Sequence, residues 1–414
     1  MRTTETHQPS LSFGEFVALM ALLIALVALS IDTMLPALGE IGGDLGMLRQ
    51  NDRQLIISLL FLGMAVGQLF YGPLSDSIGR KPAIYAGLAL FMVGSLICLL
   101  AQTFSVMLAG RLVQGIGVAG PRSVTLALVR DQYAGRGMAR IMSFVMAVFI
   151  LVPVIAPTLG QGILLFAHWR AIFGLFLLLA VVMLAWFGLR QPETLPPARR
   201  IPFALGRITA AIGEICTNRA ALGFTLMSGL ISGAFLGFLS SAQQIFQEQY
   251  GLGAQFPLYF ALLALASGVA SYVNGRLVMR YGMRLLSRAA LMGLIVLSLL
   301  FLGVAGAQAG SPPLALTVAY FMLTFFAIGL LFGNLNALAM EPLGHIAGIG
   351  AALVGSLSTL ISVPLGTLIG QSYNGTILPL VGGYVVLSIL SALVMWWAER
   401  APVGEAEQVA EELV

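Results

Sequence analysis

GQLFYGPLSDSIGRKP, residues Gly67 to Pro82, lies between two long hydrophobic runs, and its reading decides the fold. Gly72 and Gly79 supply small or left-handed positions for a short turn, Asp76 is placed to open a helix, and Arg80, Lys81 and Pro82 close the loop. The stretch is therefore read as a charged hinge between two spans. It is not a catalytic site: it holds no nucleophile constellation, metal spacing or nucleotide loop.

Outward from this hinge, the composition decides the class. Of 414 residues, 59% are hydrophobic and 9% charged, against roughly 25% charged in soluble domains; the mean hydropathy is +0.96. Apolar runs of about 20 residues, enough to cross a hydrocarbon core, recur along nearly the whole chain. Twelve are expected, at 14–38, 53–74, 82–101, 104–129, 139–163, 169–189, 219–245, 255–277, 286–306, 312–337, 346–370 and 375–398. An all-α polytopic membrane protein follows, because a transmembrane barrel would show alternating segments of about 10 residues. The first run is too long for a signal segment and contains Asp32 and Pro36, so it is read as a retained helix.

Lys81 is the sole lysine, so arginines settle the orientation. With both termini inside, Arg2, Arg80, Lys81, Arg130, Arg136, Arg140, Arg190, Arg199, Arg200, Arg207, Arg219, Arg276, Arg280, Arg284, Arg288 and Arg400 fall on cytoplasmic segments. Only Arg49, Arg53 and Arg170 fall outside, which is the bias the positive-inside rule expects. Short loops carry these charges, which excludes a nucleic-acid-binding patch. Cys98 and Cys216 lie far apart and imply no disulfide framework.

The longest internal polar interval, 191–218, contains Pro192, Pro196, Pro197 and three arginines. It divides the chain into an N-terminal tail (1–13), a six-helix half (14–190), a cytoplasmic linker (191–218), a second six-helix half (219–398) and a C-terminal tail (399–414). A faint repeat relates the halves: Gly275, Leu277, Gly282 and Arg284 fall 203 residues after Gly72, Leu74, Gly79 and Lys81, with Met279 where Asp76 would stand. Two related halves rocking about a midplane site are the arrangement of many secondary transporters.

Charged residues inside spans are costly, about 2.5–3.5 kcal/mol for an Asp at a helix centre, and mark function. Asp32 is the only acid deep in a span, and Arg111 lies at similar depth, so the two are candidates to pair for proton coupling. A static ion pair that fixes packing is the alternative. Arg111, Gln114, Gly115, Val118 and Arg122 share one stripe of the fourth span. Arg122 is a candidate anion ligand, a partner for a cytoplasmic acid, or a side chain that snorkels to the interface. Pro153, Pro157 and Gly160 share a face of the fifth span, either as a functional kink or as an ordinary one. In the second half, Gln243, Asn334 and Asn336 offer amides as substrate-binding candidates, alongside Asp32, Arg111, Gln114 and Arg122. No cofactor, metal set or enzymatic constellation is expected.

The hinge resembles the cytoplasmic loop after the second helix of major facilitator superfamily transporters, with wording closest to drug:proton antiporters of the Bcr/CflA multidrug and amphenicol type. RLVQGIG at Arg111–Gly117 looks like that family's fourth-helix motif, and ALAMEPLGHIAG at Ala337–Gly348 like its subgroup. The fifth span resembles the antiporter motif, departing from it at Ala156 and Gln161. The resemblance implies twelve helices in two pseudo-symmetric halves. It also implies proton-coupled export of small lipophilic neutral or anionic drugs by alternating access, from a monomer in a bacterial inner membrane. Gly72, Asp76, Gly79, Arg80 and Lys81 would form the cytoplasmic gate, with Arg130, Arg136 or Arg140 as partners of Asp76. An organic-anion carrier or a non-transporting receptor are the alternatives.

Overall fold

A computed structural model describes residues 11–400, and every regular element among them is helical. The first ten residues, with Arg2, and the acidic end from residue 401 lie outside the described residues. The helices are α1 (Phe13–Asp32), α2 (Leu38–Asp44), α3 (Leu55–Ile78), α4 (Arg80–Leu99), α5 (Phe104–Gln132), α6 (Gly135–Phe166) and α7 (Arg170–Arg190). They continue as α8 (Leu205–Thr217), α9 (Arg219–Gln243), α10 (Phe256–Tyr281), α11 (Met283–Ala307), α12 (Leu314–Met340), α13 (Ala347–Gln371) and α14 (Leu378–Glu399).

Eleven stretches among the described residues are long and apolar enough to span a membrane. One of them, Leu314–Gln371, is interrupted by the 3-10 turn Glu341–Ile346, where Leu343 leaves helical geometry (φ −102°, ψ 18°). It therefore supplies two spans, α12 and α13, and the count is twelve. Several starts are written locally: Ser12 Oγ accepts from Glu15 N, Thr103 Oγ1 from Val106 N and Asn218 Oδ1 from Ala221 N. Each supplies an acceptor for an amide that the helix itself leaves unpaired.

The hinge differs from its sequence reading. α3 runs through Gly72 and Asp76 to Ile78, and the turn is Gly79 alone, at φ 111°. Asp76 thus sits in the last turn of a helix, not at a helix start. Pro73 does not end α3, because spanning helices tolerate proline. The segment 191–218 also holds more structure than a linker: α8 buries Ile208, Ala211 and Ile215, spaced three and four apart on one face.

The chain divides into two compact units. One holds the chain up to Ala204 with Gly253–Ala264, and the other holds Leu205–Leu252 with the chain from Leu265 onward. In the first unit, α5 packs between α3 and α4 with no room for side chains at the crossings. A methyl on Gly63 would overlap Leu112 O, and one on Gly115 would overlap Leu60 O. Small residues let spanning helices meet backbone to backbone, where dispersion holds them because lipid offers no hydrophobic drive. In the second unit α9 is buried along most of its length against α12, α13 and α14. Phe238 of α9 meets the rings of Phe321 and Phe325 of α12, each at 4.8 Å between centroids. The exposed apolar rows, such as Phe144, Leu151, Ile155 and Leu165 on α6, are surfaces suited to lipid.

Candidate functional site

α1 stops at Asp32, and Pro36 sits in the 3-10 turn Leu35–Ala37 that follows. At this break Met34 N donates to Ile31 O at 3.2 Å, so Ser30 O loses its helical donor. Arg111 supplies the replacement: its Nη2 donates to Ser30 O at 3.0 Å. The same fully buried guanidinium donates through Nε to Ile56 O at 3.0 Å and through Nη1 to Gln114 Oε1. Gln114 Nε2 in turn donates to Ser95 Oγ at 2.8 Å. Arg111 is thus a cationic cap on the carbonyl end of α1, the place where a positive charge meets the negative end of the helix dipole.

Asp32 and Arg111 do not form an ion pair among the described residues. The guanidinium is committed to the Ser30 carbonyl, two residues before the acid, to Ile56 O of α3 and to the Gln114 amide oxygen. The Asp32 side chain is 5% exposed and has no hydrogen-bond partner among the described residues, and neither has the buried Thr33 Oγ1. Two adjacent polar groups are therefore left unsatisfied at a helix break, a place where a proton or an incoming group has something to bind.

The kinked fifth span touches this break directly. Gly160 of α6 lies on Thr33: a methyl built there would overlap the Thr33 carbonyl oxygen and stand 2.9 Å from its carbon. Pro153 and Pro157 precede it inside the same unbroken helix. Arg122 lies elsewhere on α5, exposed, with Nη1 3.4 Å from Met64 Sδ and no acid paired to it among the described residues. It stands ten residues before the end of α5 at Gln132, about 15 Å of helix. Its guanidinium stays against the middle of α3, so the snorkelling alternative does not describe it.

At the Gly79 turn the hub is Arg80, whose side chain is 6% exposed. Its Nη1 bonds Asp76 Oδ1 at 2.6 Å and Ser75 Oγ at 2.7 Å, and its Nε bonds Asp131 Oδ2 at 2.8 Å. Asp76 therefore pairs with Arg80, and not with Arg130, Arg136 or Arg140. The Glu193 carboxylate caps α4, accepting from Arg80 N and Lys81 N at 3.0 Å each. Lys81 Nζ donates to Gly188 O, Thr194 Oγ1 to Asp131 Oδ2 and Ile201 N to Asp76 O. Residues 193–201 are thereby laid along the turn.

The sequence profile of the Major Facilitator Superfamily matches residues 11–364. The chain belongs to that superfamily. Among its relatives is a bicyclomycin resistance protein homolog of Haemophilus influenzae, 30% identical over 387 residues, covering 91% of this chain and 94% of that protein. The multidrug resistance protein MdtL of Escherichia coli (strain K12 / DH10B) is 29% identical over 394 residues, covering 94% and 96%. An uncharacterized transporter of the superfamily from Bacillus subtilis, YdgK, is 29% identical over 390 residues, also covering 94% and 96%. These names agree with the Bcr/CflA resemblance. In fold, the chain matches the human organic anion transporter MFSD10 with a TM-score of 0.69 at 18% identity, over 94% of this chain and all of that one. It matches the xylose transporter XylE of E. coli at 0.68 and 13%, over 94% and 98%. The protein is a multi-pass membrane transporter for a small-molecule substrate, not an enzyme.

In this superfamily member the second-unit candidates do not form one cluster. Asn334 is buried and tied reciprocally to Asn274, each amide nitrogen donating to the other's oxygen at 2.9 Å. Asn336 is exposed and donates to Phe332 O at 2.9 Å. Gln243 Nε2 donates to Gln247 Oε1 at 3.0 Å, while its own buried Oε1 has no partner among the described residues. Sequence reasoning missed Asp131, Glu193, Ser95 and Asn274. Only Glu193 had a local signal, a carboxylate beside proline at the end of a span. The others are recognised by what they touch.

Proposed function

We propose that the protein exports small lipophilic neutral or anionic drugs from the cytoplasm in exchange for protons, by alternating access. The observation that carries this reading is the Asp32 carboxylate, buried and unpartnered at a helix break. Arg111 holds that break from one side and Gly160 of the antiporter-like helix packs on it from the other. A carboxylate free of a fixed partner takes and releases a proton as its surroundings change, whereas a locked ion pair does not. Export, not uptake, is supported by the resistance proteins among its relatives. Bacterial relatives and the arginine distribution support an inner-membrane protein with both termini cytoplasmic, and we read it as a monomer. Gly72, Asp76, Gly79, Arg80 and Lys81 act as its cytoplasmic gate.

A carrier for an organic anion is a second reading, favoured by the exposed Arg122 guanidinium without an acid partner. Proteoliposomes decide between them. Proton movement driven by a neutral drug, lost in Asp32→Asn while the variant still binds drug, is the expected result. Proton-coupled drug flux unchanged in Asp32→Asn refutes the role of Asp32. Movement of organic anions alone, abolished by Arg122→Gln, replaces drug export with the second reading.

A further inference from the structure

The two related turns of the chain handle their positive charge in opposite ways. At the Gly79 turn three carboxylates, Asp76, Asp131 and Glu193, answer Arg80 and the amides that follow it. In the repeat, 203 residues later, Gly282 again makes the turn at φ 76°, between α10 and α11. Met279 stands in place of Asp76 and is 87% exposed. Four arginines gather here at spacings of four: Arg276, Arg280, Arg284 and Arg288. Arg284 pairs with Glu341 and Arg288 with Glu399. Arg276 and Arg280 pair with no acid among the described residues, and each lies over a tyrosine ring, Tyr272 at 4.7 Å and Tyr281 at 5.3 Å.

From this geometry we infer that Arg276 and Arg280 bind the phosphodiester headgroup of an anionic phospholipid of the surrounding leaflet. Arg276 Nη2 donates to Tyr272 Oη, and the remaining N–H groups of the two ring-held guanidiniums meet no carboxylate among the described residues; a phosphodiester offers the oxygens and the charge that the first turn obtains from carboxylates. The flanks choose lipid over a soluble anion. Tyr272, Met279, Tyr281 and Leu285 expose large apolar surface at the ends of two spanning helices, the level at which aromatic rings and basic residues meet glycerol and headgroup. Basic sites at helix ends on such surfaces recognise acidic headgroups.

The test uses the full chain in neutral detergent, with bound lipid counted by native mass spectrometry. Phosphatidylglycerol, phosphatidylcholine and soluble glycerol 3-phosphate are the probes. Phosphatidylglycerol is expected to be retained in preference to the other two, and the variant Arg276→Gln/Arg280→Gln to bind it about 30-fold more weakly. Arg199→Gln/Arg207→Gln, with the same change in charge, is expected to bind as the native protein does. Met279→Asp restores an acid one turn from Arg276 and is expected to lower retention without removing a basic residue. Equal retention by the Arg276/Arg280 variant, or equal loss in the Arg199/Arg207 control, overturns the site. Equal retention of glycerol 3-phosphate overturns the choice of lipid.

Discussion

Replacing Gly160 by Ala tests whether the fifth span holds the broken end of α1. The added methyl would overlap Thr33 O and lie 2.9 Å from the Thr33 carbonyl carbon, so two backbones must part. Ordinary carbon contacts lie near 3.5–4.0 Å, which demands a separation of about 1 Å. Overpacking of this kind costs about 1–3 kcal/mol. Gly162, two residues on, has nothing within 4 Å of an added methyl and serves as the internal control. Both substitutions gain the same helix preference, roughly 0.5–1 kcal/mol, so the difference between them isolates the clash. At roughly 2–4 °C per kcal/mol for a unit of this size, Gly160→Ala should melt about 2–12 °C below Gly162→Ala in detergent. Drug-driven proton flux in proteoliposomes should fall only in Gly160→Ala. Equal melting temperatures with equal flux would show that contact with the Asp32 break is incidental.

Two further predictions concern polar pairs found only in the folded chain. Glu193→Ala removes the acceptor of two α4 amides and should cost about 1–2 kcal/mol; protease sensitivity of the 191–201 segment reads it, and protection equal to the native chain would show that Glu193 does not hold it. Asn274→Ala and Asn334→Ala should each destabilise the second unit, with a double-mutant coupling of about 0.6–1.7 kcal/mol by unfolding in detergent, and additive effects would mean the reciprocal bonds contribute nothing.

The sequence by itself determined the spans and the rare charges within them. A hydrocarbon core accepts only helices and closed barrels, whose backbones are satisfied internally, and runs of about 20 apolar residues announce the helices. The Leu343 turn, marked by Pro342 and Gly344, was readable as the break between the tenth and eleventh spans. The face of α8 was legible too, in the spacing of Ile208, Ala211 and Ile215, although the polar composition around it reads as linker.

Which partner each charge takes was decided by tertiary structure. Similar depth suggested that Arg111 meets Asp32, yet the break in α1 frees the Ser30 carbonyl, and that oxygen lies where the guanidinium points. Asp76 and Arg80 are four residues apart, but Asp131 and Glu193, 51 and 113 residues from Arg80, complete the turn. Hydropathy specifies that a helix spans the membrane, and carries no information about its rotation or its register against its neighbours. Those two quantities choose the partner of every buried polar group, and they are set by close packing between elements far apart in the chain.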